Sequence, residues 1–167
     1  MRTAQGRAAR PAGRAYQDQY VRGQVTARGY RDCAVRYALL RRALRGLRPH
    51  PTILDFGAAG GYFAFRLAHD LDARVTAVDD APALRAAAKA NGDRRVTVIA
   101  RRLTLEEVRG LGHFDVVLAL SVLHHVSPWR DYLAAFRRAA RRALILELPD
   151  PRNSATRSGS LPHPRDV

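Results

Sequence analysis

Five short apolar stretches alternate with helical patterns along most of the chain, and this alternation restricts the fold more than any other feature. The predicted strands are Thr52–Phe56, Arg74–Val78, Val96–Ala100, Phe114–Leu120 and Ala143–Leu148. Their nearly continuous valine, isoleucine and leucine content is typical of parallel strands that are covered on both faces. Because crossovers between parallel strands are right-handed, the sequence predicts a doubly wound α/β fold, with a mainly parallel sheet and helices on both of its faces.

The segments between these strands carry helix signals. The predicted helices are residues 29–48, Tyr62–Asp70, Pro82–Ala90, a short helix after Thr104 and a helix from Pro128 to about Arg141. An apolar stripe at spacings of three and four marks the first one: Cys33, Tyr37, Leu40, Leu44 and Leu47. Thr104 and Glu107 form a capping box. Ser127 followed by Pro128 predicts an N-cap and the first helical position.

The formal net charge of +14 is concentrated near the N-terminus. We predict a basic, flexible arm over residues 1–28, a core domain over residues 29–150, and a disordered or extended tail over residues 151–167. A basic arm of this kind is able to bind nucleic acid. However, Lys89 is the only lysine, and 28 of the 29 basic residues are arginine. Since GC-rich coding also produces this bias, nucleic acid is an open alternative but not the favoured partner.

The composition excludes several classes of protein. Cys33 is the only cysteine, so a disulfide within the chain and a cysteine-built metal site are both excluded, and no metal is expected. The longest apolar run, Val116–Leu123, is too short to span a bilayer. No apolar segment follows the first arginines, so we expect no secretory signal and a cytoplasmic protein with no membrane partner.

The stretch ILDFGAAGGYF, residues Ile53–Phe63, joins the first predicted strand to a helix through a glycine-rich turn. Three classes of ligand compete for such a turn. A phosphate-binding P-loop needs Gly-Lys-Ser/Thr, which is absent here. A dinucleotide fingerprint that starts at Gly57 would need glycine where Ala59 and Tyr62 stand. The third ligand is S-adenosylmethionine, which has no phosphate but needs close backbone approach and a carboxylate for its ribose hydroxyls.

In these residues the chain resembles the class I (Rossmann-like) S-adenosylmethionine-dependent methyltransferases. The stretch Asp55–Gly61 fits the first motif of that family, with Ala59 in place of a frequent middle glycine. Val75–Asp79 matches the second motif, an acid that closes the second strand, and Phe114–His125 resembles the fourth-strand segment. The resemblance extends from Thr52 to about Pro149 and implies a methyltransferase core that is shortened after its fifth strand.

The resemblance implies S-adenosylmethionine as the cofactor and S-adenosylhomocysteine as its product. The residues that it assigns to cofactor binding are Asp55, Gly57, Ala58, Ala59, Gly61, Tyr62, Asp79, Asp80 and Leu120. Asp79, 22 residues after Gly57, would accept hydrogen bonds from the ribose hydroxyls. A helix N-cap is the alternative role for Asp79, although Asp80 suits that role better. Asp55 would orient the turn near the cofactor's amino group, or it is simply a solvated strand-end acid.

One family feature is missing, and some candidates are less specific. Arg101 and Arg102 follow the third strand, where many family members place an acid that holds the adenine amine. The N-terminal candidates for binding the cofactor's carboxylate are Tyr16, Tyr20, Tyr30, Arg36 and Tyr37. Ordinary packing is the alternative explanation for each of them.

His124 and His125 follow the fourth strand and are the candidate catalytic bases. Alternatively, one of them caps or hydrogen-bonds the loop before Ser127. We expect a small-molecule acceptor that is methylated on an oxygen, carboxyl or nitrogen atom. An RNA methyltransferase and a non-catalytic binding module are the alternatives. Because the core ends after the fifth strand, that strand has an exposed edge, for which three outcomes are open. A homodimer or another partner covers it, the C-terminal tail folds across it, or the protein is a reduced form of the fold.

Overall fold

A computed structural model describes residues 13–148 of the chain. The strands are β1 (Gln19–Val21), β2 (Gln24–Ala27), β3 (Thr52–Phe56), β4 (Arg74–Val78), β5 (Val96–Ile99), β6 (Phe114–Leu120) and β7 (Ala140–Glu147). The helices are α1 (Cys33–Ala43), α2 (Tyr62–Leu71), α3 (Pro82–Asn91), α4 (Leu105–Gly110) and α5 (Trp129–Ala139), with a 3₁₀ turn at Leu123–His125. The predicted tail and residues 1–12 of the predicted arm lie outside the described residues.

The main sheet has five strands in the order β5-β4-β3-β6-β7, and all four pairings are parallel. β3 is central, because Asp55 pairs in register with Ala77 of β4 on one side and Leu118 of β6 on the other. The chain runs outward from β3 to β5 and then returns to β6 on the opposite side. This reversal of direction confirms the doubly wound fold and places a ligand crevice at the carboxyl ends of β3 and β6.

Helices cover both faces of the sheet. Successive strand residues point to opposite faces, so Ile53 belongs to one apolar core and Leu54 to the other. The first core packs β1, α1, α2 and α3 against the sheet, and the second packs α4 and α5. The apolar stripe predicted for α1 is confirmed, because four of its residues are buried: Cys33, Tyr37, Leu40 and Leu44. Its fifth residue, Leu47, is partly buried.

Residues 13–28 differ from the predicted flexible arm. β1 and β2 form an antiparallel hairpin, and Gln17, Asp18 and Tyr20 are at most 5% exposed. The Asp18 carboxylate accepts hydrogen bonds from Gly29 N at 2.8 Å and from Arg28 Nη1 at 2.9 Å. These polar residues are buried because distant segments satisfy them, a cause that local composition does not reveal.

Several predicted boundaries were also wrong. α1 begins at Cys33 rather than residue 29, because Tyr30 N and Arg31 N donate to the carbonyls of residues 15 and 16 and the Asp32 side chain caps Val35 N. α5 begins at Trp129 with Pro128 as its N-cap, so Ser127 is not the cap. β7 starts three residues earlier than predicted, since Ala140 already pairs with Phe114 of β6. The capping box of Thr104 and Glu107 is confirmed.

β7 lies at an edge of the sheet, and Leu146 and Leu148 are 37% and 58% exposed. A partner that covers this edge stays a prediction. Within residues 13–148 no helix has the length and apolarity needed to cross a membrane. The same residues contain no cluster of three histidine, cysteine or acidic side chains that could hold a metal ion.

Candidate active site

The glycine-rich turn connects β3 to α2 at the carboxyl edge of the sheet. Gly57 and Gly61 have φ angles of +83° and +77°, a region that favours glycine. A Cβ atom at Gly57 would lie 2.7 Å from Val122, and one at Gly61 would lie 2.8 Å from the Phe65 ring. Ala59 adopts φ +51° although it is not glycine. The turn therefore leaves no room for side chains at Gly57 and Gly61.

Every backbone N–H of residues 57–62 already has an acceptor within the protein. Gly57 and Ala58 donate to the carbonyl of Val78, and Gly61 donates to the carbonyl of Ala58. Gly60 and Tyr62 donate to Gln17 Oε1 at 3.1 and 3.2 Å. Gln17 thus occupies the α2 N-terminus, where a phosphate would bind in a nucleotide-binding loop. This arrangement disfavours a phosphate ligand and is compatible with S-adenosylmethionine.

Asp79 lies just after β4 and holds the turn from the other side. Its Oδ2 accepts from Ala59 N and its Oδ1 from Ala81 N, each at 2.8 Å. The second lone pair of each oxygen remains for a ligand hydroxyl. Asp79, rather than Asp80, therefore accepts the hydrogen bond at the start of α3. Asp80 instead forms an exposed ion pair with Arg102 at 2.6 Å, so the predicted capping role of Asp80 was wrong.

Asp55 lies near the carboxyl end of the central strand β3 and is 1% exposed, so it is not a solvated strand-end acid. Its Oδ2 has no hydrogen-bond partner among the described residues. Burial, followed by the charge of Asp79, raises the pKa of Asp55 to about 7, although the Arg36 guanidinium opposes this shift. A buried acid with an unpaired oxygen is able to accept a cationic group.

A cavity of about 410 Å³ opens beside Asp79. Apolar side chains, including Phe56, Leu103 and Val126, line one part of it, and Asp79 and His125 contribute polar groups. The Arg101 and Arg102 side chains also reach this cavity, but they form ion pairs with Glu107 and Asp80. The cavity therefore combines an apolar surface for a flat base with a carboxylate for a ribose.

The two histidines lie on the 3₁₀ turn after β6, with ring centroids 3.9 Å apart. His124 Nδ1 is buried and has no partner within residues 13–148. Burial first, and the neighbouring His125 charge second, lower the pKa of His124 below its ordinary value. His124 is consequently neutral at neutral pH, which is the form that a general base requires. His125 is exposed and lines the cavity.

The other predicted residues have different surroundings. The Tyr62 side chain is fully buried and its hydroxyl accepts a hydrogen bond from Arg66, and a cofactor contact of Tyr62 stays a prediction. Ala58 is also buried. Leu120 is the last residue of β6, is partly exposed and packs against the first apolar core. Among the N-terminal candidates, Tyr37 donates to Asp70 at 2.8 Å and packs in the core.

Sequence reasoning missed two residues of this region, Gln17 and Glu147. Glu147 is the last residue of β7 and accepts hydrogen bonds from Arg31, Arg36 and Ser121. Burial alone would raise the pKa of Glu147, but the Ser121 hydroxyl and the Arg36 guanidinium lower it overall. A signal for Glu147 existed: like Asp55 and Asp79, it is an acid at the carboxyl end of an apolar strand. Gln17 had no comparable signal.

Three observations test whether these residues fit S-adenosylmethionine. Asp55 Oδ2 and Arg36 Nη1 are both buried and unpaired among the described residues, and an ammonium and a carboxylate would satisfy them. Asp79 has free acceptor capacity beside the cavity. The turn N–H groups are used internally, as suits a cofactor without phosphate. The site fits the cofactor.

Comparison with known proteins gives the same result. A family model described as a methyltransferase domain matches residues 54–143, more than half of the chain. A ubiquinone biosynthesis O-methyltransferase of Methylobacterium sp. (strain 4-46) is 38% identical over 104 residues, which cover 59% of this chain and 40% of that protein. A tRNA U34 carboxymethyltransferase of Actinobacillus succinogenes is 31% identical over 103 residues, or 58% of this chain and 32% of that protein.

Solved structures show the same fold. The crystal structure of WbdD at 2.2 Å superposes with a TM-score of 0.68 at 26% identity, covering 93% of this chain and 38% of that one. The chain therefore spans about two fifths or less of the length of these proteins. Because the family model, the sheet order and the motifs agree, the chain belongs to the methyltransferase-domain family, the class I S-adenosylmethionine-dependent methyltransferases.

Proposed function

We propose that this protein binds S-adenosylmethionine and transfers its methyl group to an oxygen, carboxyl or nitrogen atom of a small-molecule acceptor. The observation that carries the proposal is the pair of acids around the glycine turn. Asp79 retains acceptor capacity beside the cavity, and Asp55 presents an unpaired buried oxygen. The turn has no free N–H for a phosphate, so this combination favours a ligand with a ribose and a cationic amino group.

Each residue then has a definable role. Asp79 accepts hydrogen bonds from the ribose hydroxyls, Asp55 binds the ammonium group, and Arg36 Nη1 binds the carboxylate. When bound, S-adenosylmethionine supplies a methyl group that is already activated by its sulfonium. The main task of the protein is therefore to align the acceptor in line with that methyl group and to exclude water. Such alignment contributes up to about 7–11 kcal/mol to lowering a barrier.

An acceptor hydroxyl or amine that must lose a proton needs a general base. His124 is the better candidate of the two histidines, because its lowered pKa keeps it neutral and its Nδ1 has no partner in the described part of the chain. A carboxylate acceptor would need no base. The contribution of His124 to turnover therefore depends on the acceptor.

A small-molecule hydroxyl acceptor is the first class to test, because the relatives at 38% and 41% identity are named ubiquinone biosynthesis O-methyltransferases. RNA is the second class, since other relatives are named tRNA U34 carboxymethyltransferases and the sequence is strongly basic. The two classes differ in salt dependence. RNA binding through arginines weakens steeply as the salt concentration rises, whereas binding of a neutral phenol does not.

The first test is calorimetric titration of the protein with S-adenosylhomocysteine, in parallel for Asp79→Ala and Asp72→Ala. Each charge-assisted hydrogen bond from Asp79 is worth about 1.5–3 kcal/mol, so two of them predict a loss of at least about 100-fold in affinity for Asp79→Ala. Asp72→Ala is the matched control, because this exposed acid pairs with Arg95 and does not line the cavity. Its affinity should change by less than about threefold.

Absence of binding by folded wild-type protein would contradict the proposed function. If the cofactor product binds, wild-type protein with methyl-labelled S-adenosylmethionine is next assayed against phenols, carboxylic acids, amines and tRNA. Labelling of a small molecule supports the proposal, and labelling of tRNA alone replaces it with the RNA alternative. Cofactor binding without labelling of any acceptor would favour a non-catalytic binding module.

A further inference from the structure

Glu147 joins three separate parts of the chain at the carboxyl edge of the sheet. One carboxylate oxygen, Oε1, accepts from Arg31 Nη2 at 2.5 Å and from Ser121 Oγ at 2.7 Å. The other, Oε2, accepts from Arg36 Nε at 2.7 Å and lies 2.5 Å from Arg36 Nη2. Ser121 N also donates to the Glu147 carbonyl at 2.8 Å. Glu147 therefore links the segment before α1, helix α1 and the loop that follows β6.

This contact fixes the orientation of Arg36. Two of its three nitrogens face Oε2, and the guanidinium also lies over the Phe63 ring, 4.9 Å from the centroid. The Arg36 side chain is only 14% exposed. The third nitrogen, Nη1, is buried and has no acceptor within the described residues. An arginine held on one side in this way presents a single directed donor to a ligand.

The charges of the cluster indicate which ligand this donor would accept. Arg31 and Arg36 carry two positive charges against the single negative charge of Glu147, so the cluster has an excess of one positive charge. A carboxylate would neutralise that excess and supply the acceptor that Nη1 lacks. The Arg36 charge also opposes the raised pKa of Asp55, which indicates that the two groups interact electrostatically.

We propose that Glu147 is a positioning residue that holds Arg36 so that its Nη1 receives the α-carboxylate of the bound cofactor. The inference rests on the proposed function, since it assigns one end of that same cofactor site. It adds a role for the end of β7, which lies outside the turn and its acids. Ser121, with φ +57°, completes the arrangement by donating to Oε1 of Glu147, the oxygen that Arg36 does not contact.

The test compares two ligands that differ only at the end which Arg36 would bind. S-adenosylhomocysteine carries the amino acid group, whereas 5′-methylthioadenosine has the same adenosine thioether without it. Affinities of both ligands are measured by calorimetry for wild type, Glu147→Gln and the control Glu106→Gln. Glu106 is an exposed acid paired with Arg109, so the control makes the same chemical change far from the cluster.

We expect Glu147→Gln to weaken S-adenosylhomocysteine about tenfold or more and 5′-methylthioadenosine less than twofold, and Glu106→Gln to change neither. Equal weakening of both ligands would show a merely structural role and overturn the inference, as would no change for either. Thermal unfolding confirms that each variant is folded. If Glu147→Gln does not fold, Arg36→Lys replaces it, because lysine keeps the positive charge but lacks the forked guanidinium that Glu147 orients. The same selective loss of affinity for S-adenosylhomocysteine is then expected.

The ligand pair also separates this inference from the proposed function. Wild-type protein that binds neither ligand would contradict the cofactor site altogether. Wild-type protein that binds both ligands with equal affinity would keep the adenosine site and overturn the role of Arg36 and Glu147.

Discussion

Asp55 and Asp115 are two buried aspartates on neighbouring strands of the same sheet, and they differ in their hydrogen-bond partners. They are 1% and 3% exposed. At the amino edge, Asp115 Oδ2 accepts from Thr52 N at 2.8 Å, Thr52 Oγ1 at 2.9 Å and Arg48 Nη2 at 3.1 Å. At the carboxyl edge, Asp55 Oδ2 has no partner in residues 13–148. The hydrogen bond from Thr52 N, helped by Arg48, lowers the pKa of Asp115 to about 2, whereas burial raises that of Asp55 to about 7.

The difference shows which edge is built for stability and which for binding. A buried carboxylate with a full set of donors ties strands together, and its ionised form is favoured. A buried carboxylate without donors is costly to ionise, and it persists where a ligand supplies the missing partner. His124 Nδ1 and Arg36 Nη1 share this unpaired state in the described residues. All three unpaired groups lie toward the carboxyl edge of the sheet: Asp55 near the end of β3, His124 after β6, and Arg36 beside Glu147 at the end of β7.

The largest effect on activity is expected for replacement of His124, the proposed general base near the carboxyl edge of the sheet. With a hydroxyl acceptor, His124→Gln should lower kcat about 100-fold, the low end of the range for general base catalysis. His125→Gln, the control on the same turn, should lower it less than about tenfold. Since the pKa of His124 lies below its ordinary value, wild-type kcat/KM for the acceptor, measured at saturating cofactor, should be flat above neutral pH and fall only in more acidic solution. Equal losses for both variants, or none, would contradict this role.

The next effect concerns Asp55→Asn, which removes the unsatisfied charge. The amide cannot stabilise an ammonium as a carboxylate does, so S-adenosylhomocysteine should bind about 10- to 100-fold more weakly, as expected for one charge-assisted hydrogen bond. Calorimetric titration measures this loss.

The same variant should be more stable than wild type without ligand. Because the folded-state pKa of about 7 exceeds the ordinary aspartate pKa of 3.8, folded wild type holds the proton more tightly than the unfolded chain does. Its free energy of unfolding therefore falls as the pH rises from 3.8 to about 7. Across this pH range the free energy of unfolding decreases by at most about 4 kcal/mol in total. Urea unfolding at pH 5 and pH 8 should show this decrease for wild type and not for Asp55→Asn. A variant that is less stable than wild type at pH 8 would contradict the assignment.

The smallest effect on function is expected for Asp115→Asn, at the amino edge, where the carboxylate already has its hydrogen-bond donors. Removing a buried acceptor leaves its donors without a full partner, which costs about 1–3 kcal/mol of unfolding free energy at neutral pH. In wild type the folded-state pKa of about 2 lies below the ordinary aspartate pKa of 3.8. The stabilisation by ionised Asp115 is therefore fully present above pH 3.8 and is lost as the pH falls through about 2. Cofactor affinity should remain within twofold of wild type, as measured by calorimetry at pH 7. A large loss of affinity would remove the contrast between the two edges.

The sequence by itself determined the parallel α/β fold, the glycine turn and the acid that closes each of the first two core strands. These features are local: an apolar run of five residues, glycines at a turn and a capping box are readable because their physical causes lie within a few positions. The α1 stripe was also readable from its spacing. The same local signal would have identified Glu147, an acid at the end of its strand.

Only the tertiary structure decided what each acid does. Asp55 and Asp115 look alike in the sequence, and their pKa values diverge because Thr52 and Arg48, 63 and 67 positions away, reach one and not the other. Gln17 meets the turn 43 positions later, and Arg36 meets Glu147 across 111 positions. The hairpin was hidden for the same reason, since its buried polar residues are satisfied by distant parts of the chain. Hydrogen-bond satisfaction in a buried site depends on three-dimensional neighbours, and only folding brings those neighbours together.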